Sequence, residues 1–209
     1  MLENVIVMIS PSHLIVTVLA YLLGSIPFGL VLTRLSGLGD IREFGSGNVG
    51  ATNVLRTGHK KLALLTLLLD AGKGSLAVLL AYHIHPSDEN ELNLSIFAGL
   101  AAVLGHNFPI WIRFQGGKGV ATTLGTLLAI AWPVGMAACI TWIITAVIFR
   151  YSSLAAIISL VASPFYALYL DREEIFVLAS FLAILGTVRH HANIRKLITG
   201  NERKIGVQK

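Results

Sequence analysis

The sequence predicts an all-α integral membrane protein with seven transmembrane helices, its N-terminus outside and its C-terminus in the cytoplasm. Three observations carry that prediction. Of the 209 residues 55% are hydrophobic and only 13% charged, with a mean hydropathy of +0.74, so the charged share is about half that of soluble domains. Apolar runs recur at about 20 residues, the length a helix needs to cross the hydrocarbon core. The basic residues gather on one side of those runs, as cytoplasmic segments do. A net charge of +5 therefore reports topology and no nucleic-acid partner. Cys139 stands alone in an apolar run, which excludes an intramolecular disulfide and a cysteine zinc site.

Taken in order, Leu14 to Thr33 is the first crossing. The preceding Met1-Leu-Glu-Asn4 lacks the basic start of a signal peptide, so this run is expected to stay as an anchor. Leu62 to Tyr82 and Leu92 to Ile112 are the second and third crossings. Val120 to Phe149 then runs for about 30 residues without a formal charge, long for one crossing and short for two. Its flanks, Arg113 and Lys118 at one end and Arg150 at the other, belong on the same side, so the run crosses and returns. Trp132-Pro133 with Gly135 supplies the helix-breaking turn. Leu154 to Leu170 and Ile175 to Val188, separated by Asp171-Arg-Glu-Glu174, complete seven.

This topology places Arg34, Arg42, Arg56, Lys60, Lys61, Arg113, Lys118, Arg150, Arg189, Arg195, Lys196, Arg203, Lys204 and Lys209 inside, 14 of the 16 bases. Glu3, Asp88, Glu89, Glu91, Asp171, Glu173 and Glu174 lie outside with Arg172. The longest polar stretch, Ser36 to Lys61, is too short for a soluble domain, so residues 1–209 read as one polytopic domain.

Three polar segments share the cytoplasmic side. In the first, Asp40 to Arg56, Gly45, Gly47 and Gly50 permit positive φ and let successive N–H groups converge on an anion. Ser46, Asn48, Thr52 and Asn53 add uncharged donors and Arg56 a fixed planar charge. The spacing also fits G-x-G-x-x-G, but that pattern has meaning only between the strand and helix of a βαβ unit. In the second segment, Gly105 to Thr123, Lys118 follows Gly116-Gly117 just before a helix start, where ammonium and helix N–H groups can meet one anion. Ile112 and Gly119 stand where a Walker A loop needs Gly and Ser or Thr, so ATP binding is not indicated. His106 is either part of this site or a helix-end histidine satisfied by a neighbour.

In the third segment, Arg189 to Glu202, helical spacing lets Arg189, His190 and Asn193 face one site. A basic surface tail accounts for Arg195, Lys196, Arg203 and Lys204, but not for the histidines and Asn193. Asp70 and Lys73 sit inside the second crossing, either as a mutually satisfying pair or as part of the site. His83 and Asp88 match an H-x4-D acyltransferase spacing, but at the outer end of that crossing, with the bilayer between them and every anion motif.

These motifs, Gly24-Ser25, Gly45-Ser-Gly-Asn-Val-Gly-Ala-Thr-Asn53 with Arg56, Leu69-Asp-Ala-Gly-Lys-Gly74, Gly105-His106, Gly116-Gly-Lys-Gly-Val-Ala-Thr122 and Arg189-His190 with Asn193-Ile194, resemble the bacterial acyl-phosphate:glycerol-3-phosphate acyltransferases over nearly the whole chain. Gln115 departs from that pattern, which commonly has a basic residue before Gly-Gly-Lys-Gly. The resemblance implies a seven-helix enzyme of the bacterial cytoplasmic membrane with its active site facing the cytoplasm. It would move a fatty acyl group from acyl phosphate to the 1-hydroxyl of sn-glycerol 3-phosphate, releasing 1-acylglycerol 3-phosphate and phosphate. It further implies no cofactor or metal, and as partners the two substrates, the bilayer and the upstream enzyme that makes acyl phosphate.

By resemblance Ser46, Lys118, His190 and Asn193 are the catalytic set. Arg56, Gly45, Gly47, Asn48, Thr52, Asn53, His106, Gly116, Gly117 and Gly119 bind substrate. An acyl phosphate is already activated, so direct transfer is expected without an acyl-enzyme at Ser46, and His190 is the best candidate if a protein base exists. The alternatives are a transporter of a small phosphorylated anion with Asp70 and Lys73 on its path, and a non-catalytic scaffold. One-sided motifs and the lack of an inverted repeat weigh against the first, and the Gly-Ser-Gly-Asn block against the second.

Overall fold

The computed structural model describes residues 11–84, 91–170 and 172–206. The expectations resting on residues 1–4, Asp88, Glu89, Asp171 and Lys209 lie outside the described residues. Among the described residues all regular structure is helical, which suits a chain whose backbone polar groups must be satisfied within each spanning segment. Leucines, valines and isoleucines such as Leu68, Val147, Ile148 and Ile184 face outward, the side lipid would cover.

The first predicted crossing is two helices, α1 (Pro11–Gly24) and α2 (Phe28–Leu35), bent by 41°. Pro27 cannot continue the hydrogen-bond ladder, and the chain turns at Ser25, whose hydroxyl donates back to Tyr21 O at 2.8 Å. The loop beyond carries Asp40, which accepts from Arg34 and Arg42, and a short helix, α3 (Ala51–Leu55). α4 (Lys60–Ile84) runs unbroken for 25 residues, about 37 Å. α5 (Glu91–Asn107) ends just before Pro109.

The long uncharged run breaks at Ala131 (φ −147°, ψ 78°), one residue before the predicted turn, into α6 (Val120–Ile130) and α7 (Trp132–Phe149) with Pro133 in its first turn. Gly135 lies against Leu127 and Leu128, so the chain folds back on itself as expected. α8 (Ser152–Tyr169) and α9 (Glu173–Arg189) follow, and a 63° bend leads into α10 (His191–Ile198).

Among the described residues, four helices are long and apolar enough to cross a membrane alone, and the two bent pairs raise the number to six. The shortfall from the expected seven is α6. Its 11 residues span about 16 Å, half of a hydrocarbon core.

α6 begins opposite the middle of α4. Val120 and Ala121 share a cavity wall with Asp70 and Ala71, while Ala129 and Ile130 sit beside Val78 and Tyr82, so α6 runs parallel to the far part of α4. The two helices nearly touch. A Cβ on Gly74 would lie 2.4 Å from Thr122 O, and one on Gly125 2.1 Å from Ala71 O. Ser75 Oγ donates to Gly125 O across the seam at 2.8 Å. Small residues that let backbones approach, with hydroxyls bridging them, are how helices associate where lipid removes the hydrophobic drive.

Candidate active site

The three polar segments meet at one cavity of about 390 Å³. Ser46, Asn48, Thr52, Asn53 and Arg56 come from the first segment, His106, Lys118 and Gly119 from the second, His190 and Asn193 from the third. Its other end is apolar, walled by Leu67 and Leu68 of α4, Leu124 and Leu128 of α6, and Cys139, Trp142 and Ile143 of α7. A polar, cationic mouth thus opens on a hydrocarbon-lined arm.

Asn53 builds the first wall. Its amide nitrogen donates to Ile41 O, Phe44 O and Asn48 O at 2.8–3.0 Å, and its Oδ1 accepts from Ser46 N at 2.9 Å and Ser46 Oγ at 3.2 Å. All this hydrogen-bonding capacity goes to the loop, so Asn53 holds Ser46 at the cavity. Gly45 and Gly47 have positive φ, 59° and 72°, and a Cβ on Gly45 would meet Asn53 Oδ1 at 2.4 Å. Gly50 does not join this turn. It is extended (φ −82°, ψ 166°) as the residue before α3.

The second wall is the lysine loop. Gly117 N donates to His106 O at 3.0 Å, and a Cβ on Gly117 would lie 2.1 Å from His106 Nε2. Gly119, at φ +77°, turns the chain into α6 against Asn107. Lys118 Nζ reaches Asn193 Oδ1 at 2.5 Å, and Asn193 Nδ2 donates to both Glu202 oxygens at 3.1 Å. Burial pushes the Lys118 ammonium down to about 8; Arg56, Lys196 and Arg189 add to the shift and Glu202 opposes it. Burial likewise lowers Arg56, against Glu202. Both cations are held where a dianion would relieve them.

One expectation is corrected here. Helical spacing was to turn Arg189, His190 and Asn193 toward one site, but the helix breaks at His190 and Arg189 points elsewhere. Arg189 donates to Gly116 O and Gly117 O at 2.8–3.1 Å and lies over the Phe108 ring, bracing the lysine loop from behind. His190 stays at the cavity with Nδ1 bonded to Gly186 O at 2.7 Å. Gly45, Gly47, Gly116 and Gly117 shape the loops and do not line the cavity. No group of three or more His, Cys, Asp or Glu fit to hold a metal occurs among the described residues. His83 bonds back to Leu79 O, and its H-x4-D partner Asp88 lies outside the described residues.

A model of the family described as glycerol-3-phosphate acyltransferase matches residues 14–200. The chain belongs to that family. It is 60% identical to the glycerol-3-phosphate acyltransferase of Paramagnetospirillum magneticum over 189 residues, covering 90% of this chain and 92% of the relative. With the Rhodospirillum rubrum protein of that name it shares 58% over 192 residues, covering 90% and 89%. Two crystal structures of PlsY (YgiH), described as an integral membrane glycerol 3-phosphate acyltransferase, superpose on it. The glycerol 3-phosphate form has a TM-score of 0.86 at 38% identity, and the lysophosphatidic acid form 0.84 at 37%. Each covers 93% of this chain and 96% of the other. The chain is therefore a multi-pass membrane protein.

Three polar cavity residues escaped the sequence reading, Ser152, Ser153 and Glu202. Glu202 fixes the Asn193 amide and acts electrostatically on Lys118, and Ser152 at the start of α8 shares a 3.0 Å hydrogen bond with Thr52. Glu202 had a signal, a lone acid in a basic tail; Ser152 had none. Gly117→Ala tests the packing of the lysine loop. The forced displacement of His106 is expected to cost about 1–3 kcal/mol, read as a lower thermal midpoint of the purified protein, with activity falling alongside. An unchanged midpoint would mean that the loop is looser than its contacts.

Proposed function

We propose that the chain is an acyl-phosphate:glycerol-3-phosphate O-acyltransferase. It transfers a fatty acyl group from acyl phosphate to the 1-hydroxyl of sn-glycerol 3-phosphate, giving 1-acylglycerol 3-phosphate and phosphate, an early step of phospholipid synthesis. The observation that carries this reading is the cavity, where a mouth with Arg56, Lys118, Ser46, His190 and Asn193 continues into an arm of leucine, isoleucine and tryptophan. Both substrates carry a phosphate and one carries a long chain. The glycerol 3-phosphate and lysophosphatidic acid forms of the similar structures support acceptor and product.

In the proposed reaction Lys118 and Arg56 clamp phosphate oxygens, the rigid fork of Arg56 suiting two at once. Ser46, Asn193 and His190 orient the acceptor and the acyl phosphate, bringing the C1 hydroxyl oxygen to the acyl carbon. That oxygen forms the new C–O bond, the acyl C–O bond to phosphorus breaks, and phosphate leaves with the electron pair. The hydroxyl proton passes to a phosphate oxygen. Asn48, Thr52, Asn53, His106 and Gly119 form the surrounding substrate wall, and Gly45, Gly47, Gly116 and Gly117 give its loops their shape. No cofactor or metal is assigned.

The proposed setting is the bacterial cytoplasmic membrane, with residues 1–209 as one domain of seven crossings, the site facing the cytoplasm, and acyl phosphate supplied by the enzyme upstream. α6 counts as the short fourth crossing. Cysteines placed at Ser36 and Tyr169 in a Cys139→Ser background are expected to react with an impermeant reagent from opposite sides, Ser36 from the cytoplasmic one. Labelling from the same side would refute this topology. The reaction is tested by product formation from acyl phosphate and labelled glycerol 3-phosphate with purified protein in detergent. No product, or product only from an acyl thioester, would refute the proposed donor.

A further inference from the structure

Beneath the lysine loop lies a cluster that does no chemistry in the proposed reaction. Lys73, Asp70 and His106 are 3%, 2% and 5% exposed, halfway along α4 and at the end of α5. Lys73 Nζ lies 2.8 Å from Asp70 Oδ1 and donates to Ile26 O, also at 2.8 Å, in the break between α1 and α2. The Phe28 ring covers the same ammonium at 5.5 Å. His106 Nδ1 turns to the same carboxylate oxygen at 3.5 Å. Apolar side chains of similar volume would pack this depth of a membrane protein at lower cost. What the cluster adds over apolar packing is direction.

The direction leads to Lys118. The His106 carbonyl accepts from Gly117 N, and its ring lies so close to Gly117 Cα that only glycine fits. Arg189 holds the carbonyls of Gly116 and Gly117 from the other side. The loop is thus gripped between an arginine behind and an imidazole below, and the imidazole Nδ1 faces, at 3.5 Å, an ion pair anchored on the break in the first crossing. We propose that the Lys73–Asp70–His106 cluster is the positioning device that sets the depth and orientation of Lys118. The cluster acts through His106 and Gly117; Lys73 is not among the cavity-lining residues, and Asp70 forms part of the wall.

The test uses the full chain in detergent and two variants, Asp70→Asn/Lys73→Met and His106→Asn. The paired change leaves no buried charge unbalanced. His106→Asn removes the imidazole and leaves the ion pair in place, and it carries the test alone if the pair fails to accumulate. Two quantities are read on protein whose thermal midpoint has been measured. The first is turnover, expected to fall about 100-fold, as an ångström-scale misplacement costs. The second is the pH midpoint for labelling of Lys118 by an amine reagent, followed by mass spectrometry. It is expected at about 8 in the native chain, where burial pushes the ammonium down, and to rise toward the ordinary lysine value of about 10.4 when the loop leaves its place.

Turnover within about twofold of native, or a midpoint still near 8 in variants that have lost turnover, overturns the proposal; the latter result makes His106 a direct participant or a stability residue. The turnover arm rests on the proposed reaction, which native activity decides first. The labelling arm needs no substrate, so it answers even if that reaction is wrong.

Discussion

Lys118→Ala is expected to lower turnover roughly 10- to 150-fold, the equivalent of losing one hydrogen bond to a charged group worth about 1.5–3 kcal/mol. The fold should survive. Lys118 spends its ammonium on Asn193 alone, while the loop is held by Arg189 on its carbonyls and by His106 beneath Gly117. kcat/KM together with a thermal midpoint separates the two effects, and near-native turnover would remove Lys118 from the reaction.

The same residue predicts a pH dependence of opposite sign for activity and stability. Since the Lys118 ammonium is pushed down to about 8, kcat/KM should decline as pH rises through about 8, and Lys118→Arg should abolish that limb because a guanidinium stays protonated. For stability, the unfolded chain binds the proton that the folded one has lost between about pH 8 and 10.4, so this group makes the fold more stable as pH rises through that window. Its contribution is least favourable below pH 8.

Ser46→Ala is expected to impair turnover comparably, yet no acyl-enzyme should form on the native protein. A serine nucleophile needs a base within hydrogen-bond reach. Here Ser46 Oγ is bonded to the Asn53 amide oxygen, which accepts and cannot take a proton at neutral pH, while His190 turns Nδ1 to Gly186 O. Exposure to labelled acyl phosphate without glycerol 3-phosphate should leave the protein unlabelled, and initial-rate kinetics should be sequential. A stoichiometric acyl label that vanishes in Ser46→Ala would make Ser46 the nucleophile and His190 its base.

The membrane helices and the break in the uncharged run were legible because hydropathy and a proline act locally. The depth of α6 was not. Nothing between Gly119 and Ala131 announces that the helix begins beside Asp70, which follows from its packing on α4. The convergence of three distant segments was legible from charge, since one-sided placement confines them to a common surface. Individual roles were harder. Arg189 and Asn193 share a helical spacing, but the break at His190 sends one to brace a loop and leaves the other in the cavity. Asn53 looks like a ligand donor in sequence and spends its whole amide on backbone and on Ser46.

The abbreviated α6 has a thermodynamic consequence. Because it starts opposite the middle of α4, the cavity reaches inward along an apolar arm walled by Leu67, Leu68 and Ile143, which are 44–59% exposed. On the proposed reading each substrate then arrives from its own solvent, the acceptor from water and the donor by lateral diffusion within the leaflet. The relevant donor concentration is a mole fraction in the bilayer or micelle. Adding detergent at fixed total donor therefore slows the reaction by surface dilution, and adding water at a fixed concentration of glycerol 3-phosphate does not.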